Sequence, residues 1–354
     1  MIKIYNLISL TALRLSISLA GCQQQAKEPQ SSALNIIFDT DMGNDIDDAL
    51  ALDMLYKYMD ADRMNVLAIM NNKDSQYATE FIDIMNTWYG YPDIPIGKLM
   101  NGVTIDDYVN YAQNVCNLEE NGKPMFRRSL DGYNTLLDSH ILYRKVLAAQ
   151  PDNSVIIISV GFSTNLARLL DTPADDYSPL SGKELVAKKV KLLSVMGGSF
   201  GENKRKEFNI INDVASARKL FADWPNEIVL SPFEVGAKIQ FPARVIENDF
   251  KWGVNHPMVE GYKHYRPMPY DRATWDLTSV LYVAEPDSSF MEKSRKGKIE
   301  VTEDGFTNFN LQEGGKHFYL SVDSVQVQRI QNYFIVLIST KPINLKTKSH
   351  SNNQ

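Results

Sequence analysis

Five aspartates lie within ten residues of one another in the segment DTDMGNDIDD. They are Asp39, Asp41, Asp45, Asp47 and Asp48. Carboxylates this close together repel one another unless a cation neutralises them. Their hard oxygen atoms select Ca²⁺ or Mg²⁺, and the segment has no His or Cys to favour zinc. A helix N-terminus would explain two or three of these acids but not five. The segment therefore predicts a divalent cation site.

Two common acidic motifs do not match this segment. In an EF-hand loop that begins at Asp39, Asn44 stands where the invariant Gly belongs and Leu50 stands where the bidentate Glu belongs. Phosphatases of the haloacid dehalogenase type also open with Asp-x-Asp after a strand. They have Thr or Val two residues after the second Asp, where this chain has Gly43.

The segment resembles the amino-terminal signature of the inosine-uridine preferring nucleoside hydrolase family, Asp-x-Asp-Pro-Gly-x-Asp-Asp. Here Met42 replaces the Pro, and two extra residues precede the final pair, Asp47 and Asp48. A subset of the family carries this longer form. The insertion leaves open whether Asp45 or Asp47 takes the ribose-binding role.

Further short motifs follow in the family's order. They are Asn71-Asn72, the run SVGFSTNLA from Ser159 to Ala167, Met196-Gly197-Gly198 with Glu207-Phe208-Asn209, and Trp275-Asp276-Leu277-Thr278. Each motif alone is weak, whereas their shared order is strong. The resemblance covers roughly Asn35 to Pro286.

The resemblance implies a calcium-dependent N-glycosidase that hydrolyses nucleosides to free base and ribose. It assigns Ca²⁺ to Asp41, Asp48, Asp276 and the backbone carbonyl of Val160. It also makes Asp41 the general base that takes a proton from a Ca²⁺-bound water.

The same resemblance places further residues around the ribose. Asp47 and Asp276 would bind the 2′- and 3′-hydroxyl groups, and Asn72 another ribose hydroxyl. Glu207 and Asn209 would bind the 5′ end. Carboxylates around the ring favour the positive charge of an oxocarbenium-like transition state.

The residue that assists the departing base differs from the family pattern. Some family members have a His just before the late Asp, and this chain has Trp275 there. An indole cannot deliver a proton but can stack on a purine. We therefore expect Trp275 to contact the base and the protein to prefer purine nucleosides. Arg272, His264 and Tyr262 are nearby alternative donors, each more often a surface or packing residue.

Two other functions stay open at this point. One is a hydrolase that cleaves a non-nucleoside riboside on the same scaffold. The other is a surface lipoprotein that binds a ribosyl ligand with little or no turnover, since Trp275 replaces an acid.

Alternating strand and helix patterns must position these residues. Strands are predicted at Asn35–Asp39, Val66–Met70, Ile94–Ile96, Ser154–Val160, Val190–Met196 and Glu227–Leu230, and helices at Ala49–Met59, Gln76–Tyr89, Thr135–Ala149 and Thr164–Leu170. This alternation predicts an α/β fold with a doubly wound, mostly parallel sheet and flanking helices. Such sheets bind ligands at the carboxyl ends of their strands.

We expect one hydrolase-like domain over residues 34–342. Within it, Met100–Asn134 is long, polar and irregular, which is typical of a lid over a site. Residues 295–342 are predicted to form a small C-terminal β-rich appendage, and residues 343–354 a flexible tail.

The first residues are predicted to be a lipoprotein signal peptide, residues 1–21. A short apolar run ends in Leu19-Ala20-Gly21-Cys22, which resembles the lipobox of bacterial lipoproteins. Cys22 would then carry lipid, and residues 22–33 would tether the domain to the membrane. This implies a location in the bacterial cell envelope, facing the periplasm or the cell surface, and a role in nucleoside salvage.

Composition argues against a nucleic-acid-binding protein and against a disulfide-rich protein. The formal net charge is -6, which argues against nucleic acid as the main partner because phosphate binding relies on clustered Lys and Arg. The chain has only two cysteines, Cys22 and Cys116, too few for a disulfide framework.

The family resemblance also implies a homo-oligomer, a dimer or tetramer.

Overall fold

A computed structural model describes residues 33–105, 110–286 and 289–343. Its strands are β1 (Leu34–Thr40), β2 (Met64–Asn71), β3 (Ile96–Gly97), β4 (Glu119–Glu120), β5 (Lys123–Pro124), β6 (Val155–Ser159), β7 (Val190–Met196), β8 (Glu227–Ser231), β9 (Gln240–Phe241), β10 (Arg272–Ala273), β11 (Glu292–Lys293), β12 (Gly297–Val301), β13 (Thr307–Leu311) and β14 (His317–Ser321). Its helices are α1 (Asp47–Asp60), α2 (Gln76–Tyr89), α3 (Tyr111–Cys116), α4 (Ser139–Ala148), α5 (Thr164–Asp171), α6 (Gly182–Lys189), α7 (Phe208–Ile211), α8 (Val214–Asp223), α9 (Phe233–Gly236), α10 (Ala243–Asn248), α11 (Pro257–Tyr265), α12 (Trp275–Ala284) and α13 (Ser324–Ser339). The predicted signal peptide, Cys22, the tether before residue 33 and the tail beyond residue 343 lie outside these ranges.

The strands of the central sheet run in the order β13-β12-β14-β8-β7-β6-β1-β2-β3, with β11 paired to β14. Every pair from β14 through β8, β7, β6, β1 and β2 to β3 is parallel. The predicted doubly wound, mostly parallel sheet is confirmed. The register aligns Asp39 with Ser159 and Thr40 with Asn71, so the carboxyl ends of β1, β2 and β6 meet at one edge.

Helices cover both faces of this sheet. Ile36 and Phe38 of β1 belong to one buried core, packed by α1, α2, α11 and α12. Ile37, between them, belongs to a second core packed by α4, α5, α6 and α8. Successive side chains of a strand point to opposite faces, so the continuous apolar run of β1 follows from burial on both sides.

One predicted helix begins later in the structure than in the sequence pattern. Residues from Thr135 were expected to be helical, whereas α4 begins at Ser139. Asp138 forms a parallel bridge with Lys98, and the Ser139 N–H donates to the Lys98 carbonyl at 2.7 Å. This pairing holds the preceding backbone extended.

The irregular segment Met100–Asn134 packs partly against the aspartate turn. Its helix α3 begins at Tyr111, which is buried. The Tyr111 hydroxyl accepts a hydrogen bond from the Gly43 N–H at 3.2 Å. Gly43 has φ +106°, a left-handed conformation that favours glycine.

The predicted C-terminal β strands are present, and they extend the central sheet. β14 pairs with β8 in parallel, while β12 and β13 follow as an antiparallel edge. The segment then ends in α13, a helix that the sequence pattern did not indicate. Asp323 and Gln326 form a capping box at its start. Within the described ranges, no helix is long and apolar enough to cross a membrane.

Candidate functional site

The aspartate segment forms the turn between β1 and α1. Asp41 follows the end of β1, and Asp47 and Asp48 are the first two residues of α1. The N-cap residue, Ile46, makes no side-chain capping bond. Acidic side chains in a first turn are favoured by the helix dipole, so α1 helps to hold both carboxylates at the carboxyl edge of the sheet.

Three hydrogen bonds fix the acids of α1. Asp48 accepts a hydrogen bond from the Thr40 hydroxyl. Asp47 Oδ2 accepts from the backbone N–H groups of Trp275 at 2.9 Å and Asp276 at 3.1 Å. Asp47 therefore caps α12 and brings the late motif to the first one.

Asp47, Asp48 and Asp276 form a compact buried group. One carboxylate oxygen of each lies within 4.8 Å of the others. Burial raises the pKa of Asp47 to about 7. Burial, followed by repulsion from neighbouring aspartates, raises the pKa of Asp48 and Asp276 well above the usual range. Such a group needs protons or a cation to be stable.

The donor atoms suit a hard divalent cation. All three groups present carboxylate oxygens, which Ca²⁺ and Mg²⁺ prefer. The family resemblance implies that Asp41, Asp48, Asp276 and the Val160 carbonyl hold the cation. The structure places Asp41 and Val160 on the same cavity. It adds Asp47, for which the resemblance implies only a ribose contact.

Asp41 has its own supporting contacts. Its carboxylate accepts a hydrogen bond from Asn44 Nδ2 at 2.5 Å, and Asn44 Oδ1 accepts from the Lys73 ammonium at 2.6 Å. Burial raises the pKa of Asp41 to about 6, opposed by Asn44 and by the charge of Lys73. A carboxylate with this pKa can take up a proton near neutral pH.

Glu207 and Asn209 line the opposite part of the cavity. Glu207 is the N-cap of α7, and its carboxylate accepts from the N–H groups of Asn209 at 2.9 Å and Gly198 at 3.2 Å. Burial raises the pKa of Glu207 to about 7. The Asn209 side-chain amide donates to the Val160 carbonyl at 3.0 Å. These bonds hold both predicted ribose-binding side chains in place.

Asn72 does not line the cavity. Its amide nitrogen donates to Asp39, and its amide oxygen accepts from the Phe162 N–H at 3.2 Å. Asp39 is fully buried and also accepts from the Tyr143 hydroxyl at 2.7 Å. Both polar atoms of the Asn72 side-chain amide are thus hydrogen-bonded to residues at the strand ends. This geometry does not support the ribose contact predicted for Asn72.

Aromatic side chains and one arginine form the remaining wall. The Trp275 indole N–H donates to the Phe233 carbonyl at 3.0 Å, and the two rings lie 5.4 Å apart. The Arg272 guanidinium lies 4.9 Å from the Trp275 ring centre and 5.1 Å from that of Tyr265. Trp275 thus already has Phe233 and Arg272 as ring neighbours.

These walls enclose a cavity of about 260 Å³. Its lining consists of Asp41, Asn44, Asp45, Asp47, Asp48, Val160, Met196, Glu207, Phe208, Asn209, Phe233, Tyr265, Arg272, Trp275 and Asp276. None of the described residues between 100 and 134 lines it.

Sequence reasoning missed several lining residues. Asn44 lies in the aspartate segment but had no predicted role, and Phe233 and Tyr265 belong to no recognised motif. Of the three donors suggested near the late motif, only Arg272 lines the cavity; Tyr262 is fully buried against Tyr270. The sequence signal for Arg272 was its position three residues before Trp275.

Comparison with known proteins identifies relatives of this chain. The family model described as inosine-uridine preferring nucleoside hydrolase matches residues 36–331. A comparison with curated proteins found no match.

Solved structures share the fold. A plant nucleoside hydrolase superposes with a TM-score of 0.67 at 18% identity, covering 87% of this chain and 99% of its own. A purine-preferring ribonucleoside hydrolase from Gardnerella vaginalis has a TM-score of 0.65 at 16% identity, with coverages of 86% and 98%. An inosine-uridine preferring nucleoside hydrolase from Bacillus anthracis has a TM-score of 0.63 at 17% identity, with coverages of 86% and 99%.

Proposed function

Since the chain belongs to the inosine-uridine preferring nucleoside hydrolase family and is an enzyme that hydrolyses ribonucleosides, we propose that it does so with a bound Ca²⁺ ion and Asp41 as general base. The observation that carries this proposal is the convergence of Asp47, Asp48 and Asp276 on one buried cavity. Burying three carboxylates together is costly without a cation. In nucleoside cleavage, such a cation can activate the attacking water.

Asp48 and Asp276 belong both to the observed group and to the ligand set that the sequence implies. Asp41, Asp47 and Val160 line the same cavity and offer further oxygen atoms. This number of oxygens suits Ca²⁺, which takes six to eight. When bound, the ion neutralises the carboxylates and lowers the pKa of a neighbouring water.

Asp41 takes the proton of the water that attacks C1′ of the ribose. A general base works best with a pKa near the working pH, and burial brings the pKa of Asp41 to about 6. The surrounding carboxylates stabilise the positive charge that develops on the sugar as the C1′–N bond breaks.

Ribose hydroxyl groups meet fixed acceptors and donors. Asp47 and Asp276 would accept from the 2′- and 3′-hydroxyls, and Glu207 and Asn209 would hold the 5′-hydroxyl. Backbone N–H groups orient Glu207, so its position does not depend on substrate. Preorganised contacts of this kind reduce the entropy lost on binding.

The proposal is tested with a nucleoside panel assayed with and without a chelator. Inosine, adenosine, guanosine and uridine should release reducing sugar, and the chelator should stop the release. Asp41→Asn should lower kcat by at least about a thousandfold while leaving the melting temperature close to that of the parent. The exposed Asp249→Asn serves as the matched control and should keep full activity.

The same panel addresses the two rival functions. Heat of nucleoside binding without sugar release would favour a ribosyl-binding protein. Sugar release from other ribosides but from no nucleoside would favour the non-nucleoside hydrolase. Near wild-type cleavage by Asp41→Asn would remove Asp41 from the mechanism.

We also propose that the enzyme is exported and lipid-anchored at Cys22. The support is the sequence Leu19-Ala20-Gly21-Cys22 at the end of an apolar run. Labelling with a radioactive fatty acid should mark the wild type but not Cys22→Ser. Labelling of both proteins, or of neither, would contradict the anchor.

A further inference from the structure

The cavity carries a strong imbalance of charge. Six carboxylates line it, and Arg272 is the only cationic side chain among the described lining residues. The six are Asp41, Asp45, Asp47, Asp48, Glu207 and Asp276. This acidic environment suits a cationic sugar, but it opposes a base that leaves with an extra electron pair.

Arg272 is held in one orientation. Its Nε donates to Asp45 Oδ1 at 2.7 Å, and its Nη2 donates to the other oxygen of the same carboxylate. Tyr265 and Trp275 flank the guanidinium at 5.1 and 4.9 Å. The side chain is 12% exposed, so it is positioned before any substrate arrives.

Part of the guanidinium remains available to a ligand. Arginine has five N–H donors, and the pair with Asp45 uses two of them. The other three have no partner among the described residues. The Trp275 indole N–H is engaged by the Phe233 carbonyl, and no His is among the described residues that line the cavity.

We propose that Arg272 is a catalytic residue that donates a hydrogen bond to the departing base, and that Asp45 positions it. This inference rests on the proposed function. As the C1′–N bond breaks, its electron pair stays on the base nitrogen, where the guanidinium stabilises the negative charge. The water oxygen bonds to C1′ and gives one proton to Asp41, while the base takes its final proton from solvent.

Asp45 makes this arrangement specific to the longer aspartate segment. It lies in the two-residue insertion that separates Gly43 from the Asp47-Asp48 pair. Bidentate pairing fixes the plane of a guanidinium. The inserted Asp45 thus supplies the partner that orients the guanidinium of Arg272, which lies on β10.

The test compares two substrates that differ in their leaving group. Inosine needs stabilisation of its departing base, whereas p-nitrophenyl riboside releases p-nitrophenolate without help. Arg272→Met should lower kcat on inosine by about a hundredfold or more. The same variant should keep kcat on p-nitrophenyl riboside within about threefold, because the ribose contacts and Asp41 are unchanged.

Companion variants separate catalysis from folding. Arg272→Lys keeps a charge but loses the bidentate pair, so its inosine rate should lie between those of Arg272→Met and the wild type. Asp45→Asn should also lower kcat on inosine while leaving kcat on p-nitrophenyl riboside nearly unchanged. Arg266→Met is the matched control, since Arg266 lies over Tyr265 at 5.0 Å but does not line the cavity.

Each outcome supports or overturns the role of Arg272. Equal losses of kcat on both substrates in Arg272→Met and Arg272→Lys would show that Arg272 has only a structural role. Unchanged inosine turnover would remove it from catalysis. If the wild type cleaves neither substrate, the proposed function itself fails, which is distinguishable from failure of the Arg272 role alone.

Discussion

Asp47 caps the helix that carries Asp276, although 229 residues separate the two. The Asp47 carboxylate accepts from the N–H groups of Trp275 and Asp276 at 2.9 and 3.1 Å. The N-cap residue of this helix, Thr274, makes no side-chain capping bond of its own. One side chain therefore satisfies the helix end and sets the spacing of the acidic group.

Removing this cap should affect stability and cation binding together. We expect Asp47→Ala to lower the free energy of unfolding by about 1–2 kcal/mol and to weaken Ca²⁺ binding at least tenfold. Chemical denaturation and isothermal titration measure the two effects. Asp213→Ala removes an ordinary cap from α8 and should reduce stability only. Unchanged Ca²⁺ affinity in Asp47→Ala would contradict the shared role.

Cation binding should stabilise the folded protein. A ligand that binds only the folded state adds about 2.7 kcal/mol at a hundredfold excess over Kd, so saturating Ca²⁺ should raise Tm by several degrees. Asp48→Asn should abolish most of this rise, because Asp48 belongs to the compact group. An identical rise in wild type and Asp48→Asn would place the ion elsewhere.

Lys73 should act on the reaction through Asn44. The Lys73 ammonium donates to Asn44 Oδ1, which turns the Asn44 amide nitrogen toward Asp41. Lys73→Met should free this amide and lower kcat about tenfold to a hundredfold with little change in KM. The exposed Lys145→Met is the control. A pure rise in KM would indicate a role in binding instead.

Gly161 is required beneath Asp41 because no side chain fits there. A Cβ at this position would lie 2.6 Å from Asp41 Oδ1 and 2.7 Å from the Asp41 backbone nitrogen. We expect Gly161→Ala to cost about 1–3 kcal/mol of stability and to reduce activity strongly. Gly132→Ala, where nothing lies within 4 Å, should change neither. Normal activity of Gly161→Ala would show that this strand end can move freely.

His317 should make the fold sensitive to acid. Its Nδ1 accepts from the Ile299 N–H at 2.9 Å, and burial lowers its pKa to about 4. The unfolded chain, with an ordinary His pKa near 6.5, binds the proton more readily. The contribution of neutral His317 to the free energy of unfolding is therefore complete above about pH 6.5 and is lost as pH falls toward 4.

A variant isolates this contribution from other titrating groups. Between pH 6.5 and 4.5, the wild type should lose about 1–2 kcal/mol more unfolding free energy than His317→Asn. Urea denaturation at the two pH values measures the difference. Parallel losses in both proteins would assign the acid sensitivity to other side chains.

The amino-acid sequence by itself determined the local features of this protein. Continuous apolar runs marked the parallel strands, and the Asp39–Asp48 segment marked the carboxyl edge where the site lies. These signals are local, since strand and helix periods depend on neighbouring residues. The short motifs, read in order, then pointed to the family.

Only the tertiary structure decided which distant groups meet. It joined Asp47 to the backbone of Asp276, turned Asn72 beneath the strand ends, and set Arg272 against Asp45. It also placed β14 beside β8, so that the C-terminal strands extend the central sheet. Such contacts depend on how packed elements orient side chains across the fold, which no periodicity within a single segment encodes.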